Sequence, residues 1–180
     1  MKKIILKGKR VTLRPLELKD APLYVRWFHD KDVTRHLAMQ ERLTLRKEKK
    51  YIRDLVKKKD RFNLAIITED GRYIGASGAN LYPKDKRAAI GIFIGEKSVW
   101  GKGYATETLT LVADYLFKKL GYRRVELEVS MHNKRALHVY EKIGFTLEGI
   151  KRKSHWNIIT KKFDDHGMMS ILRNEWSKRK

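Results

Sequence analysis

The chain has 180 residues, 42 Lys+Arg against 21 Asp+Glu, a formal charge of +21 and no Cys. One domain of this length buries a core without staples, and the missing Cys excludes disulfides, zinc–thiolate centres and a cysteine nucleophile. No window approaches the roughly 18 consecutive apolar residues of a membrane helix, and the basic start from Met1 to Lys9 lacks a signal peptide's apolar run, so a cytoplasmic location without membrane association is expected.

Val11 to Arg14 forms a short strand candidate ended by Pro15. Asp20-Ala21-Pro22 opens a helix, with Asp20 as its cap and Leu23, Trp27 and Phe28 on its apolar face. A second helix starts at Thr44 and runs to about Lys59, with Leu45, Ile52, Leu55 and Val56 inward and its basic residues in water. Strands at 63–67, 73–81 and 87–94 form an antiparallel meander, joined through Asp70-Gly71 and Pro83 to Lys86. The helix from about Tyr104 to Lys119 repeats apolar residues at the 3.6-residue period and stops at Gly121. A strand over 124–129, a helix capped by Asn133 and closed by Gly144, a strand from Phe145 to about His155 and a last strand over 168–172 complete the chain, with Asp164-Asp165 in the final turn region. This mix predicts an α+β domain with a mixed sheet, and a parallel crossover over 87–129.

The charge is uneven. Segment 46–61 holds nine basic and three acidic residues, and 151–162 holds five basic and none acidic. Such a field favours anionic partners. It equally describes a solvated, ion-paired surface of thermophile-like composition. No zinc-finger spacing or basic zipper is present, so no specific nucleic-acid partner is expected.

Trp100-Gly101-Lys102-Gly103-Tyr104-Ala105 lies between a strand and a long helix. Close glycines let backbone N–H groups converge, and the helix start adds its dipole, which together suit a diphosphate. Lys102 and Lys97 add charge nearby. The Walker and dinucleotide patterns are both absent. A tight turn with purely steric glycines is the alternative.

These residues resemble the GNAT N-acetyltransferase superfamily. Its coenzyme A signature, Gln/Arg-x-x-Gly-x-Gly/Ala, is met by Gly103 and Ala105, with Trp100 in the first place. Trp there is common in the ribosomal-protein N-terminal-alanine acetyltransferase branch, whose Trp-Gly-x-Gly-Tyr-Ala-Thr-Glu matches Trp100 to Glu107. The branch pattern around a second helix is matched by Asn133, Ala136, Tyr140, Glu141, Lys142, Gly144, Phe145, Glu148 and Gly149. The opening Leu13-Arg14-Pro15-Leu16 and the end Met169 to Leu172 with Glu175-Trp176 are similar too.

The resemblance implies a single GNAT domain over 1–180: an αβα-layered acyl-CoA N-acyltransferase fold. Its central sheet would be mixed but mostly antiparallel, with about seven strands, splayed at the cofactor site and flanked by about four helices. It implies an enzyme that uses acetyl-CoA and lets an amine attack directly in a ternary complex. Tyr140 is then the general acid, Glu148 the base, and Asn133 a catalytic or pantetheine contact. Glu128, Asp165, His132 and His155 are rival bases. Cofactor contacts fall to Phe93, Ile94, Gly95, Trp100, Gly101, Lys102, Gly103, Tyr104, Ala105, Thr106, Asn133, Arg135, Ala136, Tyr140 and Lys142. A bulge near Ile94 would free an N–H for the oxyanion. Thr34, Arg35 and His36 fall where acceptors bind. The six His show no ligand spacing, so no metal is expected. The branch and the positive charge together favour the N-terminus of a protein as acceptor, with ribosome association. Alternatives are a small amine such as a polyamine or aminoglycoside, or a non-catalytic acyl-CoA-binding adaptor. A monomer and a homodimer both fit.

Overall fold

The computed structural model describes residues 4–37, 43–55 and 57–178. Strands β1 (Leu6–Lys7) and β2 (Val11–Pro15) are followed by helices α1 (Ala21–Phe28), α2 (Lys31–Thr34) and α3 (Leu45–Leu55). The meander comprises β3 (Arg61–Thr68), β4 (Tyr73–Tyr82) and β5 (Arg87–Ile94). Helix α4 (Tyr104–Asp114) continues as a π-helical turn (Tyr115–Lys119). Then come β6 (Arg124–Ser130), α5 (Lys134–Lys142), β7 (Thr146–Asn157), β8 (Lys162–Leu172) and α6 (Arg173–Ser177).

The strands form one sheet in the order β1-β2-β3-β4-β5-β6-β8-β7. Only β5 and β6 are parallel, joined through α4; the other neighbours are antiparallel. This is the expected α+β layered fold, with eight strands and six helices among the described residues rather than seven and four. The additions β1, α2 and α6 are two, four and five residues long, too short for a periodic signal.

Alternation along the strands divides the core. Leu64 and Ile66 point to the face covered by α4 and α5, where Leu109, Val112, Leu116, Leu137 and Ile143 pack. Ala65 points to the other face, against Tyr24 and Phe28 of α1 and Ile52 of α3. Leu109 of α4 and Leu116 of the π-helical turn, both fully buried, would each cost about 2–5 kcal/mol if cut to Ala.

Three local expectations change. Asp20 is buried and makes no capping bond to α1; Arg14 holds both its oxygens at 2.6 and 2.8 Å. Asp164 and Asp165 lie within β8, and the turn before it is built on Asn157, whose Oδ1 accepts from the N–H groups of Ile159 and Thr160. On α3, Thr44 caps as expected, accepting from Lys47 N–H, but Leu45 is exposed and the buried pair is Glu48 and Ile52. Val56 lies outside the described residues.

Glu48 is 2% exposed and its Oε1 has no hydrogen-bond partner. Burial pushes its carboxyl up to about 7. Between the ordinary value of 4.5 and about 7 the folded chain holds a proton that the unfolded chain has lost, so stability falls as pH rises through that window. Glu48→Gln is expected to raise the melting temperature at pH 8 by several degrees, from about 3 kcal/mol, and to flatten its pH dependence. An unchanged melting curve at pH 8 would place the carboxyl in water.

Candidate active site

β5 and β6 pair only from Arg87–Ala89 to Arg124–Glu126. Beyond these pairs the strands part and border a cleft of about 1400 Å³. On its other edge β5 follows β4 in continuous register from Tyr82/Arg87 to Gly75/Ile94. The bulge expected near Ile94 is therefore on β4, where Ile74 is the extra residue against β3. The Ile74 C=O accepts from Gly95 N–H at 2.9 Å and Glu96 N–H at 3.1 Å. Because paired groups alternate along an antiparallel ladder, the backbone groups of Ile92 and Ile94 then point away from β4, into the gap. There the Trp100 indole N–H donates to the Ile94 C=O at 2.9 Å. The Ile94 N–H and both Ile92 groups are left facing the cleft.

The glycine loop closes one end. Gly101 and Gly103 have φ of +76° and +84°, in the left-handed region that favours glycine. No described residue accepts from the N–H groups of Gly101, Gly103, Tyr104, Ala105 or Thr106. A Cβ built on Gly101 would meet nothing within 4 Å, so open space lies over this backbone. Unpaired N–H groups, the helix start and open space fit the pyrophosphate of a coenzyme. Arg10 supports the loop from behind. It donates to the Lys102 C=O at 2.8 Å, bonds Glu107 in the first turn of α4, and stacks 4.9 Å from the Tyr104 ring. Nothing in the local sequence links residue 10 to residue 102, and the sequence reading missed it.

Helix α5 borders the cleft as well. Asn133 Oδ1 accepts from Ala136 N–H at 3.2 Å, so the cap is real, and both residues also border the cleft. The Arg135 guanidinium lies 5.5 Å from the Trp100 ring, tying α5 to the loop. Tyr140 is buried but reaches the cleft, and burial pushes its phenol up to about 12, so it stays protonated at neutral pH.

Of the predicted site, Phe93, Ile94, Trp100, Gly101, Gly103, Tyr104, Ala105, Thr106, Asn133, Arg135, Ala136, Tyr140 and Lys142 border this one cleft. Gly95, Lys102 and Glu148 do not. Gly95 is buried beneath Trp27, whose ring a Cβ would reach at 2.0 Å, so its role is close packing. Lys102 lends the loop its carbonyl. Lys97 turns away from the loop to Asp30 and Asp32, at 2.8 and 3.1 Å.

Glu148 is the principal correction. Its two oxygens are held by the Arg124 guanidinium at 2.7 and 2.5 Å, and Ser170 Oγ donates at 2.8 Å. Arg124 foremost, and Ser170 after it, hold this carboxyl down at about 2, the opposite of what a base needs. The carboxylates that do border the cleft are Asp32, held by Lys97 and Arg35, and two of β6: Glu126, held by Arg87 and Arg124, and Glu128. Lys151 Nζ lies 2.9 Å from its Oε2, while His155 and His166 Nδ1 approach its Oε1 at 3.4 and 3.5 Å. Burial, then the neighbouring His155, lowers the His166 pKa. Of the other rival bases, His132 borders the cleft but His155 and Asp165 do not; the Asp165 carboxylate accepts from Lys153 N–H.

Residues 10–146 match the model of the acetyltransferase (GNAT) domain. The chain is 29% identical over 178 residues to the uncharacterized N-acetyltransferase p20 of Bacillus licheniformis, covering 94% of this chain and 96% of that protein. Spermidine N-acetyltransferase from Vibrio cholerae, in complex with CoA and spermine, superposes with a TM-score of 0.87 at 20% identity over 95% of this chain and all of that one. RimJ of Mycobacterium smegmatis, in complex with CoA-disulfide, gives a TM-score of 0.82 at 21% identity over 96% and 88%.

The Arg124–Glu148 pair links β6 to β7. Because the folded carboxyl titrates near 2 and the unfolded one near 4.5, its stabilisation is complete above that upper value and is lost as pH falls towards the lower. Glu148→Gln should lower stability at pH 7 by about 1 kcal/mol or less, since the side chain is 43% exposed. The gap to the parent chain should close on acidification in thermal melts; a gap that widened would contradict this pairing.

Proposed function

This chain belongs to the acetyltransferase (GNAT) family and is an acetyl-CoA-dependent enzyme that acetylates an amine; on that basis we propose that its acceptor is a small primary amine, with Glu128 as base and Tyr140 as proton donor. Bound acetyl-CoA supplies the activated acetyl group. The free N–H groups of Gly101, Gly103, Tyr104, Ala105 and Thr106 hold the pyrophosphate, and Lys134, Arg135 and Lys142 of α5 line the same cleft. The Ile92 backbone pairs with the pantetheine amides, and the Ile94 N–H donates to the carbonyl oxygen as negative charge develops there.

An ammonium cannot attack until it loses a proton. Glu128 takes it: of the two β6 carboxylates that line the cleft, Glu126 is held by Arg87 and Arg124, whereas only one Glu128 oxygen is engaged by Lys151. The Tyr140 phenol, protonated at neutral pH, donates to the departing sulfur. Asn133 holds the start of α5, and so Tyr140, in place. The observation that carries this reading is that Tyr140, Glu128 and Ile94 all line the one cleft that opens where β5 leaves β6.

For the acceptor, the lining of the cleft includes Glu128, Asp32 shared with Lys97 and Arg35, and the rings of Tyr24, Phe28 and Tyr51, a set that suits an aliphatic cation. The likeness to the spermidine acetyltransferase supports the same class. A protein N-terminus is the second reading, supported by the likeness to RimJ.

Tyr140→Phe should lower kcat about a hundredfold while acetyl-CoA affinity changes little, and Glu128→Gln should lose at least as much. Glu148→Gln should stay within about twofold of the parent, as expected away from any hundredfold acid–base contribution. A large loss in Glu148→Gln with normal folding would return the base to that position. In a panel of spermidine, simple diamines and alanine-starting peptides, kcat/KM should be highest for a small amine. A preference for peptides would overturn the acceptor and leave the transfer chemistry intact.

A further inference from the structure

We propose that Glu128, His155 and His166 form a binding site for a divalent transition-metal ion such as Zn²⁺, opening onto the cleft. The three residues come from three adjacent strands. In the β6–β8 register His166 faces Ser130, two residues from Glu128 along the same face. Lys151 of β7 also faces His166, and the next registered pair is His155 with Asp164. Four residues of β7 therefore span two of β8. This bulge, with Lys153 at φ +49° and its N–H bonded to Asp165 Oδ1 at 2.7 Å, brings His155 back over His166. The two imidazoles stack with centroids 3.8 Å apart.

The donors already have metal-like spacing. The ligand atoms of all three residues lie within 4.8 Å of one another, and each imidazole Nδ1 is 3.4 or 3.5 Å from Glu128 Oε1. A tetrahedral ion with bonds of about 2.0–2.1 Å needs ligand atoms about 3.3–3.4 Å apart. His166 is 4% exposed, and its Nδ1 faces this point with no hydrogen bond. Lys151 lies on the other Glu128 oxygen, so it can stay as an outer partner of a coordinated carboxylate. Binding requires the stacked rings to open until both lone pairs meet the ion. His155 has room to turn, with 32% of its side chain exposed, and exchanges its contact with Ser154 Oγ for the metal. Two imidazoles and one carboxylate select Zn²⁺ and similar ions over Mg²⁺ or Ca²⁺. The fourth position faces the cleft that Glu128 and His166 both border.

A metal here ties up Glu128 and inhibits acetyl transfer; this consequence alone rests on Glu128 as the acceptor's base. The test titrates Zn²⁺ into the metal-free chain against a chromophoric chelator, with bound metal counted by elemental analysis after desalting. One Zn²⁺ per chain is expected, displaced by EDTA and not by excess Mg²⁺. His155→Ala and His166→Gln should each weaken binding at least about tenfold, while His138→Ala, on α5, should not. His155 is partly exposed, so its variant reads out binding even if His166→Gln fails to fold. No stoichiometric binding, or equal affinity in His155→Ala, would overturn the site. If zinc binds and His155→Ala abolishes it, yet turnover persists at saturating zinc, the site stands and the base assignment falls.

Discussion

The structure turns on a break in strand pairing. β5 and β6 share three residue pairs and then part. A buried backbone group left unpaired costs about 1–3 kcal/mol, so a strand cannot leave its neighbour without compensation. Here the compensation is specific. The Trp100 indole takes the Ile94 C=O, and the doubled acceptor at Ile74 fixes the two N–H groups that follow. Close packing of Gly95 on Trp27 holds the strand end against α1. What stays unpaired, Ile92 and the Ile94 N–H, faces the cleft, where a ligand rich in amides and carbonyls can complete the ladder. The glycine loop and α5 both line this opening, the loop leading into the α4 crossover between the parted strands.

Much of this was legible because it is local. The Asp-Gly turn, the alternating meander and the 3.6-residue period of α4 are short-range patterns, and the fold follows them. The glycine loop was legible because only glycine tolerates φ of +76° and +84° in such a turn. The errors share a different origin. Local composition places Asp164 in a turn, yet the residue is buried in β8, where Asn157 Nδ2 donates to it at 2.7 Å. A motif position points to Glu148 as base, but a carboxylate's proton affinity is set by its neighbours, and the decisive one is Arg124, on another strand. Arg10 and Glu107 meet across the molecule, and the bulge that stacks His155 on His166 exists only once β7 and β8 pair. Nothing in residue spacing encodes such meetings.

The charge of +21 takes a different meaning in three dimensions. The acids near the strand junction are consumed by arginines: Glu126 is bound by Arg87 and Arg124, and Arg124 also holds Glu148. This network pins the base of the gap, where β5 and β6 are still paired. Further along the cleft the charges are paired less tightly. Arg135 lies against the Trp100 ring, Asp32 is shared by Lys97 and Arg35, and Glu128 has Lys151 on one oxygen.

This local pairing decides how a strongly cationic enzyme handles a cationic acceptor. The long-range field repels it, and salt at physiological strength screens the repulsion within about 8 Å. Inside the cleft the balance is set by groups closer than this. Glu128 has one lysine partner, and Lys151 is half exposed, so an acceptor ammonium can replace it at little cost in desolvation. The net charge therefore governs encounter with the coenzyme and other anions, whereas selection of the amine depends on one carboxylate and the aromatic wall around it. An acceptor argued from overall charge alone, as the sequence invites, weighs the wrong distance.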